Sequence, residues 1–265
     1  MSDLNTKSFF SKFKNMSTDS IPKTILVAVG LCLFCSMIVS FAAVNLKSIQ
    51  DVNKIRDKQK NILQVAGVYY DGINIEETFL SFEPMIVDIN KGSYSNKFDP
   101  KIFDDKKASS DPVLSTLLID DPASIGRRTN FATVYLLKNK DGSLDKVILP
   151  IHGYGLWSTL YGFIALEENC NDIFGLQFYQ HAETPGLGAE VDNPKWRAQW
   201  NGKKLNNNKG DLMIEVAKTI NYKEHHIDAL AGATLTSNGV DNLVKFWMGE
   251  SGFKKFLVNL KNGAV

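Results

Sequence analysis

The stretch "FATVYLLKNKDGSLDKVILPI", residues 131–151, has the pattern of a β-hairpin. Two runs rich in β-branched and aromatic residues, "FATVYLL" and "KVILPI", flank the turn-forming "KNKDG". Two further runs, "LYGFIAL" and "IFGLQFYQ", follow along the chain, each bounded by Gly, Asn or Asp. Consecutive strands with short connections pair antiparallel, so the sequence predicts an antiparallel meander. With helices flanking this sheet, the predicted fold class is α+β.

A helix is predicted after "DALAGATLTSNGV", residues 228–240, because apolar residues recur there at helical spacing. These residues are Val240, Leu243, Val244, Trp247 and Met248. Three hydroxyl side chains stand at the start of the helix, on Thr234, Thr236 and Ser237. Such hydroxyls can cap free backbone N–H groups, and the same N–H groups with the helix dipole favour a phosphate. Between the meander and this helix, "PKWRAQW" predicts a short helix and "DLMIEVAK" another strand.

Near the N-terminus, Thr24–Val44 contains no charged residue. Its length is what a helix needs to cross the hydrocarbon core of a bilayer. We therefore predict one transmembrane helix at 24–44, preceded by a segment 1–23 and followed by a helical stalk at 45–67. A cleaved signal peptide is the alternative, but the apolar run and the polar stretch before it are both long for one. Lysines lie on both sides of the span, so charge alone does not give its orientation.

Composition excludes some classes of protein. A net charge of +1 over 265 residues gives no argument for a nucleic-acid partner. The three cysteines cannot build a disulfide framework, since Cys32 and Cys35 lie inside the apolar segment and Cys170 stands alone. Cys32 and Cys35 are one helical turn apart, so they either pack against lipid or a helix or contribute to a partner's metal site.

Two glycine-containing loops are candidates for ligand contact. The first, "HGYGLWS" at 152–158, joins two predicted strands and suits a backbone that approaches a flat ligand. The alternative there is a glycine bulge with Trp157 in the core. The second, "HAETPGLGAE" at 181–190, is a tight turn whose N–H groups can surround an anion or a carbonyl-rich ring, or a turn with no ligand. Segment 72–128 is a mixture of short apolar runs, charges and turn formers to which we assign no chemistry.

Several familiar enzyme signatures are missing from the sequence. It contains no GxSxG elbow, no Walker P-loop and no HExxH motif. His225 and His226 are adjacent and point in different directions on a strand, and no further ligands are marked for a metal. We therefore predict no catalytic residue and no metal site.

The chain has a single predicted N-terminal span, then the motif "HAETPGLG" and later the motif "DALAGATLTS". This combination resembles the FMN-binding domain family. Over nearly the whole length the chain resembles the C subunits of Na+-translocating NADH:quinone reductases. The attachment pattern of that family is Asp, two variable positions, Ser, Gly, Ala and Thr, with the flavin joined through its phosphate to the threonine. Asp228, Ala231, Gly232, Ala233 and Thr234 occupy those positions, and Ala231 replaces the commoner serine.

The resemblance implies that FMN is bound covalently, as a phosphoester of Thr234. It implies a separate Mg-dependent flavin transferase, which splits FAD and leaves FMN on the hydroxyl. Thr236 and Ser237 are then expected to donate hydrogen bonds to the phosphate. The expected contacts of the flavin ring are Glu183, Thr184, Gly186, Leu187, Gly188 and, more weakly, Trp157.

The resemblance also implies the setting of this flavin. The chain would be an electron-carrier subunit of a respiratory complex that couples NADH oxidation by quinone to Na+ export. Its partners would be the other subunits, the membrane and the flavin transferase. It would lie in the bacterial inner membrane with residues 68–265 in the periplasm. Two alternatives remain: the flavoprotein subunit of an Rnf-type ferredoxin:NAD reductase, whose region equivalent to 72–128 is typically shorter, and an anchored scaffold or receptor without flavin.

Overall fold

The computed structural model describes residues 11, 15–17 and 20–265, so most of the predicted segment 1–23 lies outside the described residues. The chain divides into two compact units, the first ending at Ile55 and the second comprising Arg56–Val265. In chain order the helices are α1 (Ile21–Val65), α2 (Ile75–Phe79), α3 (Asp105–Ser110), α4 (Pro194–Ala198), α5 (Thr234–Met248) and α6 (Lys254–Lys261). Short 3-10 turns lie at Gly188–Asp192 and Lys223–His225.

Helix α1 contains the predicted span 24–44. It is long and apolar enough to cross a membrane by length and composition, and none of its apolar stretch is buried. A core helix of a soluble domain would be mostly buried, so this exposure favours an anchor. Cys32 and Cys35 are exposed free thiols, and Cys170 is a buried free thiol.

The second unit is built on one large antiparallel sheet. In chain order the strands are β1 (Phe82–Asp88), β2 (Ser93–Tyr94), β3 (Ser115–Leu117), β4 (Arg127–Thr129), β5 (Phe131–Lys138), β6 (Leu144–Tyr154), β7 (Thr159–Glu167), β8 (Ile173–Gln180), β9 (Glu215–Ala217) and β10 (His226–Asp228). Six of them form the sheet, in the order β2-β1-β5-β6-β7-β8, and all its neighbouring pairs are antiparallel. The predicted meander is therefore confirmed as β5 to β8, and so is the α+β class.

Apolar side chains cover both faces of this sheet. Along β5, Val134 and Leu136 belong to one apolar cluster, whereas Tyr135 and Leu137 belong to the other. This is the two-residue alternation of a strand. The first cluster includes the buried face of α5, and the second includes the end of α1 at Ile62, Leu63, Val65 and Ala66. Burial on both faces explains why the strands read as nearly continuous apolar runs.

Two local expectations need correction, and one segment left unassigned gains a role. Strand β6 continues to Tyr154, so residues 152–154 of "HGYGLWS" are strand and only its last four residues form the loop. The strand predicted at "DLMIEVAK" shortens to β9, which pairs in parallel with β10 outside the large sheet. Segment 72–128 supplies β1, which pairs along its whole length with β5 and widens the meander.

Candidate functional site

Three segments of the second unit meet at one place, which we call the junction. They are residues 154–158 at the end of β6, residues 181–188 after β8, and residues 232–239 at the start of α5. Gly239 lies directly against the carbonyl oxygen of Tyr154, leaving no room for a side chain. The two loops and the helix start that the sequence singled out separately are therefore brought together by the fold.

The Glu183 carboxylate lies at the centre of the junction. Its Oε1 accepts hydrogen bonds from the backbone N–H groups of Leu156, Trp157 and Ser158, at 3.1, 3.0 and 3.4 Å. Its Oε2 accepts the hydroxyl hydrogen of Thr236 at 2.7 Å. Glu183 and Thr236 are only 5% and 1% exposed. One buried carboxylate thus joins all three segments.

Hydrogen bonding keeps this carboxylate ionised. Burial alone would raise the pKa of Glu183, but the hydrogen bonds from Thr236 and from the backbone at 156–158 lower that pKa below its ordinary value of 4.5. A lowered pKa in the folded state stabilises the fold above the unfolded pKa. This contribution is lost as the pH falls through the lower, folded pKa, and it is fully present at neutral pH.

Two glycines allow the backbone to approach the carboxylate closely. A Cβ on Gly155 would lie 2.6 Å from Glu183 Oε1. A Cβ on Gly188 would lie 2.6 Å from both Glu183 Oε2 and Thr236 Oγ1. Real Cβ atoms do not come so close to oxygen atoms, so larger residues at either position would displace the carboxylate or its partners.

Helix α5 begins with open backbone N–H groups. Its N-cap is Ala233, which has no side chain able to cap. Within the described part of the chain, the N–H groups of Thr234, Leu235 and Thr236 have no acceptor, and the exposed Thr234 hydroxyl has no hydrogen-bond partner. Thr234 is the first helical residue. The helix start therefore presents three free donors beside one free hydroxyl.

The other two hydroxyls at this helix start are used internally. Ser237 Oγ accepts the N–H of Leu230 and donates to the carbonyl oxygen of Ala233, both at 2.9 Å. Thr236 donates to Glu183. Both side chains are buried, so their predicted hydrogen bonds to a phosphate would have to replace bonds that they already make.

The turn at Gly232 brings the two sequence motifs into contact. Its φ of +72° is in the left-handed region that favours glycine. A Cβ at this position would lie 3.1 Å from Leu187 Cδ2. Leu187 of "HAETPGLG" therefore packs beside the attachment sequence.

The predicted site residues fall into two groups by exposure. Those that reach solvent are Trp157, Thr184, Gly186, Leu187 and Thr234. Those that are buried are Glu183, Gly188, Thr236 and Ser237. The alternative that placed Trp157 in the core is wrong, since its side chain is 64% exposed. In the exposed group, Leu187 packs beside Gly232, two positions before Thr234. In the buried group, Glu183 and Thr236 join the loops to the helix start.

Residues 155–249 match the FMN-binding domain family. The chain is 48% identical to the C subunit of the Na+-translocating NADH-quinone reductase of Pseudomonas aeruginosa, over 92% of this chain and 98% of that one. It is 44% identical to the corresponding subunit of Yersinia pestis, over 95% and 97% of the two chains. The chain belongs to the family of Na+-translocating NADH-quinone reductase C subunits.

Solved structures of this family have the same fold. The crystal structure of Shewanella oneidensis NqrC is 34% identical, with a TM-score of 0.74, and the match covers 79% of this chain and 99% of that one. The C subunit of the Parabacteroides distasonis reductase is 28% identical, with a TM-score of 0.65, over 80% and 96% of the chains. The FMN-binding domain match begins at the junction loop, includes β7 and β8, and ends one residue after α5.

Several junction residues were not predicted from the sequence. Ser158 Oγ accepts the N–H of Ala182 at 2.7 Å. His181 Nδ1 accepts the N–H of Glu183 at 3.2 Å, and its Nε2 lies 2.8 Å from Asp192 Oδ2. Leu235, next to Thr234, is 59% exposed. His181 and Ser158 stand inside the two quoted motifs, but only the fold shows that their side chains hold the loops.

The adjacent His225 and His226 are both hydrogen-bonded within the fold. His225 Nδ1 lies 2.7 Å from the carbonyl oxygen of Lys204, and His226 Nε2 lies 3.1 Å from Asp228 Oδ1. Among the described residues no three His, Cys, Asp or Glu side chains are grouped to hold a metal ion. These two histidines therefore have structural roles.

Proposed function

We propose that this protein is a covalently flavinylated electron carrier that holds FMN on Thr234. By the names of its relatives, it acts in the complex that oxidises NADH, reduces quinone and translocates Na+. The observation that carries the proposal is the exposed Thr234 hydroxyl beside three open N–H groups at the start of α5, none of which has a hydrogen-bond partner among the described residues. A phosphate on that oxygen would receive the free donors and the favourable end of the helix dipole.

The residues around Thr234 fit a phosphate joined to a flat, amphipathic ring. Five large exposed side chains of the junction are apolar or aromatic: Tyr154, Leu156, Trp157, Leu187 and Leu235. A flavin ring can bury such surface, and the exposed turn at 184–187 offers it backbone groups. Trp157, Thr184, Gly186 and Leu187 are therefore our proposed ring contacts, and FMN bound there would supply reversible electron transfer.

Attachment replaces one phosphorus–oxygen bond by another. Thr234 Oγ1 bonds to the phosphorus of the FMN half of FAD and gives up its proton. The pyrophosphate bond breaks, and AMP leaves. A threonine hydroxyl is a weak nucleophile until a base removes its proton, and among the described residues none is hydrogen-bonded to Thr234 Oγ1. This supports a separate flavin transferase that brings the base and the Mg2+.

Covalent attachment separates this proposal from a scaffold without flavin. We expect the full-length protein, coexpressed with a flavin transferase, to give a fluorescent band on a denaturing gel. Coexpression with an inactivated transferase is the control and should give a dark band. A dark band in both samples would contradict covalent flavinylation.

The Rnf-type alternative is disfavoured because its region equivalent to 72–128 is typically shorter. The C subunits align over 92–95% of this chain, so most of segment 72–128 lies inside the aligned region.

We further propose that α1 anchors the chain once in the bacterial inner membrane, with the N-terminus in the cytoplasm and residues 68–265 in the periplasm. The unburied apolar stretch of α1 supports the anchor. Alkaline phosphatase fused after Asn61 should be active, because that enzyme matures only outside the cytoplasm. A fusion after Asn15 should be inactive. An inactive fusion after Asn61 would place the flavin domain in the cytoplasm.

A further inference from the structure

We propose that Glu183 is a positioning residue for the flavin. The carboxylate fixes the Trp157 loop relative to the first turn of α5, and it does not contact the ring itself. This inference rests on the proposed flavinylation of Thr234, which lies two residues before the hydroxyl that Glu183 holds.

The number of hydrogen bonds that the Glu183 carboxylate already accepts supports its role as a positioning residue. A carboxylate offers about four acceptor sites, and four donors already point at this one. The backbone of Gly188 lies against both Oε2 and Thr236 Oγ1, because a Cβ there would lie 2.6 Å from each oxygen. Glu183 is only 5% exposed and its carboxylate already accepts four hydrogen bonds, so it offers a flavin ring little surface to contact.

The backbone N–H groups that point at Glu183 explain why a negatively charged side chain is needed at this position. Three successive N–H groups, those of residues 156–158, converge on Oε1, which is the arrangement that binds an anion. The Glu183 side chain supplies that anion from within the chain. Without it, three backbone donors and the buried Thr236 hydroxyl would lose their acceptor, which is costly in a protein interior.

The geometry links this bonding to the ligand surface. Leu156 and Trp157 donate their N–H groups inward, while their side chains are 38% and 64% exposed on the surface beside the helix start. The backbone position of these residues, and hence where their side chains stand, is set by Oε1. The orientation of the first turn of α5 is set by Oε2 through Thr236. One side chain thus controls the spacing between the attachment point and the proposed ring contacts.

The test compares five variants of the full-length flavinylated protein: Glu183→Gln, Glu183→Ala, Thr236→Val, Thr236→Ser and Glu190→Gln. The first readout is amide exchange at residues 156–158. The second is the visible absorption spectrum and midpoint potential of the flavin. Glu190 is the matched control because its carboxylate lies in the same stretch of sequence but accepts from Asn193 at 2.7 Å instead of from the junction.

We expect Glu183→Ala to raise exchange at 156–158 by about tenfold or more, since charge-assisted hydrogen bonds are lost. It should also shift the flavin spectrum and potential. Glu183→Gln should give exchange rates and flavin shifts between those of the wild type and Glu183→Ala, because its amide keeps one acceptor oxygen but loses the charge. Thr236→Val should shift the flavin spectrum, Thr236→Ser should restore it, and Glu190→Gln should match the wild type.

Any of three results would overturn the positioning role. One is wild-type exchange at 156–158 in Glu183→Ala. Another is an unchanged flavin spectrum and potential in every Glu183 and Thr236 variant. Equal losses in Thr236→Ser and Thr236→Val would also overturn it, since the hydroxyl would then be irrelevant. If the wild type carries no FMN, the proposed function fails, but the exchange measurement still decides whether Glu183 holds the loop.

Discussion

Thr234→Val is expected to abolish covalent flavinylation completely while the protein still folds. Valine is nearly isosteric with threonine but lacks the oxygen that would bond to phosphorus. The Thr234 side chain is exposed and makes no hydrogen bond within the described structure, so replacing it removes no internal contact. The change in folding stability should therefore be small, within about 0.5 kcal/mol. Denaturing-gel fluorescence measures the attachment, and thermal unfolding measures the stability.

Two neighbouring variants control for damage to the helix start. Thr236→Val and Ser237→Ala should both keep the fluorescent band. Each should lose stability, by about 1–3 kcal/mol, because a buried hydrogen-bond partner is left unsatisfied. The combination of a dark, stable Thr234 variant with fluorescent, less stable neighbours is specific to attachment at Thr234. If Thr234→Val stays fluorescent and one neighbour goes dark, the attachment site is misassigned.

Gly188→Val is expected to destabilise the FMN-binding domain strongly. The new Cβ would lie 2.6 Å from Glu183 Oε2 and from Thr236 Oγ1, and the two further methyl groups would add to this crowding. The substitution would overpack the junction and break the Glu183–Thr236 hydrogen bond. Overpacking typically costs about 1–3 kcal/mol, to which the lost charge-assisted bond adds a similar amount. We expect a fall of many degrees in the unfolding temperature, or no folded protein.

Gly186→Ala is the matched control for this experiment. Gly186 lies two residues away with a φ of +75°, and nothing lies within 4 Å of a Cβ built there. Its substitution should cost only backbone strain, about 1–2 kcal/mol. Gly188→Val with a stability equal to Gly186→Ala would contradict the close packing at Gly188.

The strands of the meander could be predicted because their signals are local. Each of β5 to β8 is a β-branched or aromatic run between turn formers. Strand β1 pairs with β5 across more than forty positions of mixed sequence, and local patterns carry no information on such a partner. The sequence predicts a strand longer than β9, because an apolar run does not show which of its residues pair with another strand.

The candidate site also has a part that could be predicted from the sequence and a part that could not. The helix start at Thr234 and the turn at 184–188 are visible as motifs, and the fold brings them together. The roles of the polar side chains could not be predicted, because their partners lie far away in sequence. Thr236 and Glu183 are 53 positions apart, and Glu183 and Leu156 are 27 apart. The sequence therefore groups Glu183 with the ring contacts, whereas its bonds point to a supporting role.

Peptide mapping of the wild-type protein tests the central claim most directly. The full-length chain would be purified from cells that make a flavin transferase, digested and analysed by mass spectrometry. We predict that the peptide containing Thr234 is heavier by FMN less one water, and that fragmentation places this mass on Thr234. An unmodified Thr234 peptide, or the same added mass on another residue, would contradict the account.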